Sequence, residues 1–246
     1  METSTSKTFL WVAVILSLGL IISSFGVATF WCKNTTNRNS VVTVTGSAKK
    51  QIKSDYAVWR GDFSVEATSL QEAYSKLSQS RSKVKSYLQS KGFDEKDIVF
   101  KAIHTNTLYE GREYGRQTTT VAGYILSQMV EIESNDVEKT DSISKESTEL
   151  INQDVRFNSF EPQFYYTKLG ELKVDMLTDA THDARARAEK IAGVNGRKIN
   201  TVRSARMGVF QITRPNSTDV SDYGINDTST IDKEITAVVN AEFSIK

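Results

Sequence analysis

Cysteine is nearly absent from this chain: Cys32 is the only one, so no disulfide can close within it and the fold must rest on packing. Histidine is almost as scarce. His104 and His182 have no HxxxH, ExxH or cysteine companion, so metal-ligand spacing is missing. No GxxxxGK[ST] or GxGxxG run offers a phosphate cradle, and no GxSxG turn presents a nucleophilic serine. An excess of one charge is also lacking. Lysine and arginine number 31 against 30 aspartates and glutamates, with no dense basic stripe, which argues against a nucleic-acid partner. These absences leave no catalytic residue, cofactor-binding residue or metal ligand to assign.

What the chain does have is one long uncharged run, Phe9–Cys32, FLWVAVILSLGLIISSFGVATFWC. As a helix, Phe9–Trp31 extends about 34 Å, enough for a hydrocarbon layer of about 30 Å. Gly26-Val27-Ala28 offers a signal-cleavage site, but Phe30 and Trp31 carry the apolar character beyond it, and Trp11 and Trp31 stand where indoles favour the headgroup boundary. The reading is a retained signal-anchor over 9–32, after a leader at 1–8 and before a linker at 33–40. Lys33, Arg38, Lys49 and Lys50 outnumber Lys7 on the leading side, a count that would hold the body inside. Long C-terminal domains translocate largely regardless of charge, so the expectation is a single pass through the cell membrane with the body exported. Cys32 at the membrane edge reads as a thiol without a role, and Lys49, Lys50 and Lys53 as a solvated turn.

The remaining body, 41–246, is roughly 200 residues and ample for a core. Val41–Ser47 is β-branched and strand-like, and Tyr56–Ala67 alternates, with Trp59, Gly61, Phe63, Val65 and Ala67 on one face. Ser69 with Glu72 forms a capping box before a helix through Leu70, Ala73, Leu77, Val84 and Leu88 that stops at Gly92. Strands follow at Ile98–Thr105 and Val121–Ile132, joined by a polar hairpin connection, Tyr109–Thr120. Asn135 with Glu138 opens a weaker helix through Val137, Ile143 and Leu150. Pro162 breaks the strand-like, aromatic Val155–Tyr166 and places it at an edge or bulge.

The strongest helix pattern carries Leu169, Leu172, Met176, Ala180, Ala184, Ala188 and Ile191 on one face and closes at Gly193. Its alanines bring a backbone close. Asp179, Asp183, Arg187 and Lys190 read as a solvated stripe on which Asp183 pairs with Arg187. Ile199–Ile212 is β-like, Thr213–Lys233 reads as a mobile loop, and Ile235–Ile245 is a closing strand with Ile235, Ala237, Val239, Ala241, Phe243 and Ile245 inward. Interleaved strands and long helices predict an α+β fold, a mainly antiparallel sheet covered by helices on one side.

Two further groups bear on chemistry. Glu131 and Glu133, at strand spacing, read as a solvated face, because acid/base work needs burial or a shifted pKa. Phe157, Phe160, Phe164, Tyr165 and Tyr166 divide between core, subunit contact and ligand box, in that order.

In this order the segments resemble the SIMPL-domain family of bacterial envelope proteins. Val41–Ser47 followed by Ser54-Asp55-Tyr56-Ala57 is similar to its first strand, turn and second strand. Gly92-Phe93-Asp94-Glu95-Lys96-Asp97-Ile98 is similar to its helix exit, and Gly123-Tyr124 with Ser127 to its next strand. Asp179–Gly196, DATHDARARAEKIAGVNG, resembles its alanine-rich DARxRAExLA helix and the glycine turn after it. Ser54 stands where that family commonly has proline, Phe100 where it has threonine, and Val194-Asn195-Gly196 is shorter than its usual turn. The resemblance implies an exported or membrane-attached α+β protein, often tied to stress tolerance, with no accepted catalytic residues. The expected function is a non-enzymatic, self-associating envelope protein with a structural or protective role. An interaction module that holds an envelope partner through Asp179–Lys190 or Thr213–Lys233 is the alternative, and a hydrolase-like enzyme comes third.

Overall fold

The structure, a computed structural model, describes residues 40–113, 116–117 and 119–246, together with eight helical residues of the leading segment (17, 19–21, 23, 24, 26 and 27). Among the described residues no helix is long and apolar enough to cross a membrane. Most of the expected 9–32 anchor, including Cys32, lies outside them, as do the 1–8 leader and most of the 33–40 linker. Along the chain the elements are β1 (Val41–Lys53), β2 (Tyr56–Ala67), α1 (Leu70–Ser90), β3 (Ile98–Tyr109), β4 (Arg112–Glu113), β5 (Arg116–Gln117), β6 (Val121–Ser134) and α2 (Val137–Glu146). After them come β7 (Arg156–Ser159), β8 (Gln163–Tyr165), α3 (Leu169–Val194), β9 (Ile199–Met207), β10 (Gln211–Thr213), β11 (Ile225–Asn226) and β12 (Asp232–Ile245). This is the expected α+β class with antiparallel sheets and helices. The body divides into two compact units: 40–48, 174–209 and 237–246 form one, and 49–173 with 210–236 the other.

In the larger unit a five-stranded antiparallel sheet has the order β3-β6-β2-β7, with β8 also on β2. The alternation read from β2 places Trp59 and Phe63 wholly inside. They join Leu77, Val84 and Leu88 of α1, Ile132 of β6, Ile143 of α2 and Phe157 of β7 in one core. The Trp59 and Phe157 rings stack at 6.0 Å and 28°. Burying aromatic side chains of this size contributes about 2–3 kcal/mol each, which is why one helix-covered face suffices. As Pro162 predicts, β7 and β8 are separate short strands on the same edge of β2, with the proline in the gap.

Caps set the helix ends. Ser69 accepts from the Glu72 amide at 3.3 Å, as expected. For α2 the cap is Asp136 rather than Asn135, accepting from the Lys139 amide at 3.0 Å, and Leu150 falls in a 3₁₀ turn after the helix. Gly92, at φ +85°, ends α1 with paired bonds from Gly92 to Gln89 and from Phe93 to Leu88. The same pair of bonds follows the 3₁₀ turn, from Asp154 to Ile151 and from Val155 to Leu150, but there the left-handed position, φ 58°, carries an aspartate. Asp154→Gly therefore removes a Cβ penalty of about 1–2 kcal/mol and returns part of it as unfolded-state entropy. A net gain of about 0.5–1 kcal/mol is expected as a higher urea midpoint, and a lower midpoint would contradict this account.

The larger unit also holds 213–233, and here the expectation of a mobile loop is corrected. The segment contains β11, and it receives backbone bonds from Ser54 to Ile231 and from Phe164 to Thr228. It ends on Lys233, only 2% exposed, whose amine donates to the Asp227 carbonyl. Burial pushes that amine below its ordinary range, opposed by the Asp227 charge.

In the smaller unit β12 pairs with β9 from Val239 to Ile245 and neighbours β1. Ala237, Val239, Ala241 and Phe243 face inward as expected, but Ser244 is buried as well, bonded to Thr201, and Ile245 is only partly buried. Here the pairing is irregular, with the extra residues on β9. On α3 the buried row within this unit is Met176, Ala180, Ala184, Ala188 and Ala192, every fourth residue. Ile191, expected inside, is 50% exposed. Nor does Gly193 end the helix: Gly196, at φ +67°, does, with bonds from Gly196 to Gly193 and from Arg197 to Ala192.

Candidate functional site

The DAR-type helix is explained by what lies against it inside the smaller unit. Val42, Val44 and Gly46 are the inward residues of β1. A Cβ on Gly46 would stand 2.2 Å from the Ala180 carbonyl oxygen and 2.4 Å from the Ala184 nitrogen. Sheet backbone and helix backbone thus touch with no side chain between them, and the alanines are the residues that permit it. One residue along, the Ser47 amide donates to Asp183 Oδ2 at 2.8 Å, and Arg187 Nε donates to the same oxygen at 2.9 Å. The Ser47 amide, and after it Arg187, hold the Asp183 carboxyl below its ordinary range. Asp183 is therefore a clasp on the sheet and not part of a purely solvated stripe. Its expected pairing with Arg187 is present. Arg185 pairs one turn on with Glu189 at 3.0 Å.

The larger unit carries its polar groups on the sheet face opposite its aromatic core. Glu131, expected to be solvated, has a side chain only 8% exposed and lies between Arg60 Nε at 2.7 Å and Lys101 Nζ at 2.6 Å. Lys101, and secondarily Arg60, hold its carboxyl below the ordinary range, against burial, which pushes it up. The three charges come from three adjacent strands, so the cluster ties β2, β6 and β3 laterally. Sequence spacing gave no sign of it, because the cations belong to other strands.

Glu133 accepts from the Tyr56 hydroxyl at 2.5 Å. That carboxylate, with burial added, pushes the Tyr56 phenol up to about 12. A folded-state value above the unfolded one means that this bond's contribution is complete below about pH 10 and is lost as pH rises toward 12. Ultraviolet titration at the phenolate band should show one tyrosine ionising about two units late, and Glu133→Gln should bring it back toward the others. Titration of all tyrosines together in the unaltered chain would remove the Glu133 assignment.

The register also sets Ser64, Ser127 and His104 side by side across β2, β6 and β3, with Asp62 and Met129 in the next row. These residue types suit hydrolysis on paper, but a nucleophile needs an enclosed, oriented site. His104 is exposed on a strand and lines none of the three shallow clefts described below. His182 is exposed on α3, in the other unit. Among the described residues no group of three His, Cys, Asp or Glu side chains is placed to hold a metal ion.

One cleft, about 420 Å³, lies where α3 ends, among Glu189, Gly193, Gly196, Arg197 and Ile199. A second, about 400 Å³, has Phe160, Pro162, Lys145 and Ser229 in its walls. The third, about 420 Å³, is walled by Lys83, Ser86, Tyr87 and Gln153. The second also holds Asp141, Glu161, Ser144 and Ser159, but its serines are engaged: Ser144 Oγ donates to the Asp141 carbonyl, Ser159 Oγ to the Ser144 carbonyl and Ser229 Oγ to Asp227 Oδ1. The aromatic group divides accordingly: Phe157 and Phe164 are buried, Tyr165 and Tyr166 half-buried, and Phe160 is 42% exposed at the second cleft.

Two strands of nine or more residues remain exposed along nearly their whole length. Among the described residues β3 has a sheet neighbour, β6, on one side only. Every residue from Lys101 to Thr107 in it is exposed, with Ile103 at 37% and Tyr109 at 47%. In β9 every residue after Ile199 is exposed, including Arg203 and Arg206. Compared with known proteins, the chain from 42 to 243 matches the sequence model named SIMPL, described as a protein of unknown function (DUF541). No curated protein matches it.

Proposed function

The chain belongs to the SIMPL family, and on that premise we propose that it is a non-enzymatic, membrane-anchored envelope protein that works by assembling with copies of itself. In this reading 9–32 is a single-pass signal-anchor after the 1–8 leader, 33–40 a linker, and 41–246 an exported body with a structural or protective role. The apolar run Phe9–Cys32 supports the anchor. The observation that carries self-assembly is β3, a twelve-residue sheet edge on which nine residues are exposed, Ile103 and Tyr109 among them. Such an edge presents unpaired amides and carbonyls to any strand that meets it.

Holding a different envelope protein through Asp179–Lys190 has less support, since Arg185 and Arg187 are already paired with Glu189 and Asp183 on their own helix. Light scattering on the purified full chain in detergent tests the reading. A protein mass above that of one chain is expected in the micromolar range, and a strict monomer there would overturn it. Protease added to intact spheroplasts should digest the body, and full protection would reverse the orientation.

A further inference from the structure

Resting on the self-assembly reading, we propose that the occupant of the β3 edge is β3 of a second copy, paired antiparallel about Asn106. The chain guards its other sheet edges. Lysines, prolines, short strands and breaks are the usual devices that keep a sheet edge from pairing. β1 carries Lys49, Lys50 and Lys53. β9 carries Arg203 and Arg206, two cations on a nine-residue strand. β7 and β8 are three or four residues long and separated by Pro162, and β11 has two residues. From Ala102 to Tyr109, AIHTNTLY, β3 has no lysine, arginine, acid or proline.

The same segment is complementary to itself. In a continuous sheet, residues directly opposite across a strand pair share a face, so a two-fold pairing must centre on a residue. Centred on Asn106, it sets Ile103 opposite Tyr109 of the second copy twice over, an aromatic beside a β-branched side chain, the kind of pair that stabilises a ladder. Among the described residues these are the two large apolar side chains of 102–109 that stay exposed. Thr105 then meets Thr107, His104 meets Leu108, and Asn106 meets its own counterpart. The ladder ends where β3 itself departs from regular pairing with β6, between Phe100 and Ile103, which keeps Lys101 on Glu131 and outside the new interface.

The test uses the full chain with Cys32→Ser. Asn106→Cys added to it should form a disulfide-linked dimer under mild oxidation, at least about tenfold faster than Val202→Cys on β9, because only the axial position faces itself at bonding distance. A second variant, Thr105→Lys with Thr107→Lys, sets lysines opposite lysines at exposed positions and should raise the dissociation constant at least about tenfold with unchanged circular dichroism. Association that survives both lysines, equal linkage at 106 and 202, or linkage of residue 106 to a different protein would each overturn the strand assignment. A full chain with Cys32→Ser alone that is strictly monomeric would instead overturn the reading on which it rests.

Discussion

Gly46→Val is expected to disrupt the smaller unit outright. The missing Cβ would lie 2.2 Å from the Ala180 carbonyl oxygen, 2.4 Å from the Ala184 nitrogen and 2.7 Å from the Ala184 Cβ. A carbon beside a carbonyl oxygen settles no closer than about 3.3 Å, so α3 must retreat by about 1 Å over its whole contact with β1. Retreat opens a gap along Ala180, Ala184 and Ala188, and it stretches the bond from the Ser47 amide to Asp183, so packing and clasp fail together. Overpacking of this kind costs about 1–3 kcal/mol where a side chain can yield. Here the obstacle is backbone, and a loss above about 4 kcal/mol is expected, a large fraction of what a domain has.

Hydrogen exchange should then show the amides of 174–194 and 199–207 unprotected. The control is specific: Gly46→Ala with Ala184→Gly removes only the Cβ contact, leaves the oxygen and nitrogen in place, and should fail to rescue. Full protection in Gly46→Ala alone would show that the helix sits further from the strand than the 2.2 Å distance implies.

That contact also marks how far the amino-acid sequence could be read. The alanine row and the glycine in β1 were visible separately, and the alanines already implied a backbone close by. What paired them was the meeting of segments more than a hundred residues apart, which no periodicity encodes. Local chemistry was legible for the same reason that non-local chemistry was not. Ser69, Gly92 and Pro162 act on their own neighbours, so cap, stop and strand break fell where they were read. Glu131 acts on Arg60 and Lys101, on the two neighbouring strands and far away in sequence, so its own spacing suggests only a solvated residue. Gly193 and Gly196 both stand near the end of α3; only Gly196 takes the left-handed position, and backbone geometry rather than residue type tells the two apart. In 213–233 composition suggested a free loop, yet Lys233 is buried and the segment's carbonyls serve amides elsewhere in its unit. Of the candidate site, β3 is legible as a strand free of charge and proline over 102–109, but which side of it lacks a neighbour is set by strand order and is not.

Gly61→Ala is expected to be the second most damaging change, and it should differ from Gly46 in being rescuable. A Cβ at Gly61 would stand 2.3 Å from Cζ of Phe157 and 2.9 Å from Cε1. Here the obstacle is a side chain, the ring that stacks on Trp59 in the core of the larger unit. It cannot swing away cheaply, because Trp59 is wholly buried beside it and its indole nitrogen donates to Ser159 at 3.0 Å on the same strand, β7. Displacing the ring costs stacking and packing together, about 2–4 kcal/mol. Phe157→Leu alone opens a cavity and costs about 1–3 kcal/mol by lost transfer and packing. In the double variant the new methyl occupies part of that cavity, so the combined loss should be smaller than the sum by at least about 1 kcal/mol, a coupling that two independent sites would not show. With Trp11 and Trp31 replaced by phenylalanine, urea unfolding followed by the remaining Trp59 emission measures all three variants with a probe inside the affected cluster. Strict additivity would mean that β2 and β7 part slightly to admit the methyl, and the bond from Trp59 to Ser159, lost in that case, would report it as a red-shifted emission of the folded chain.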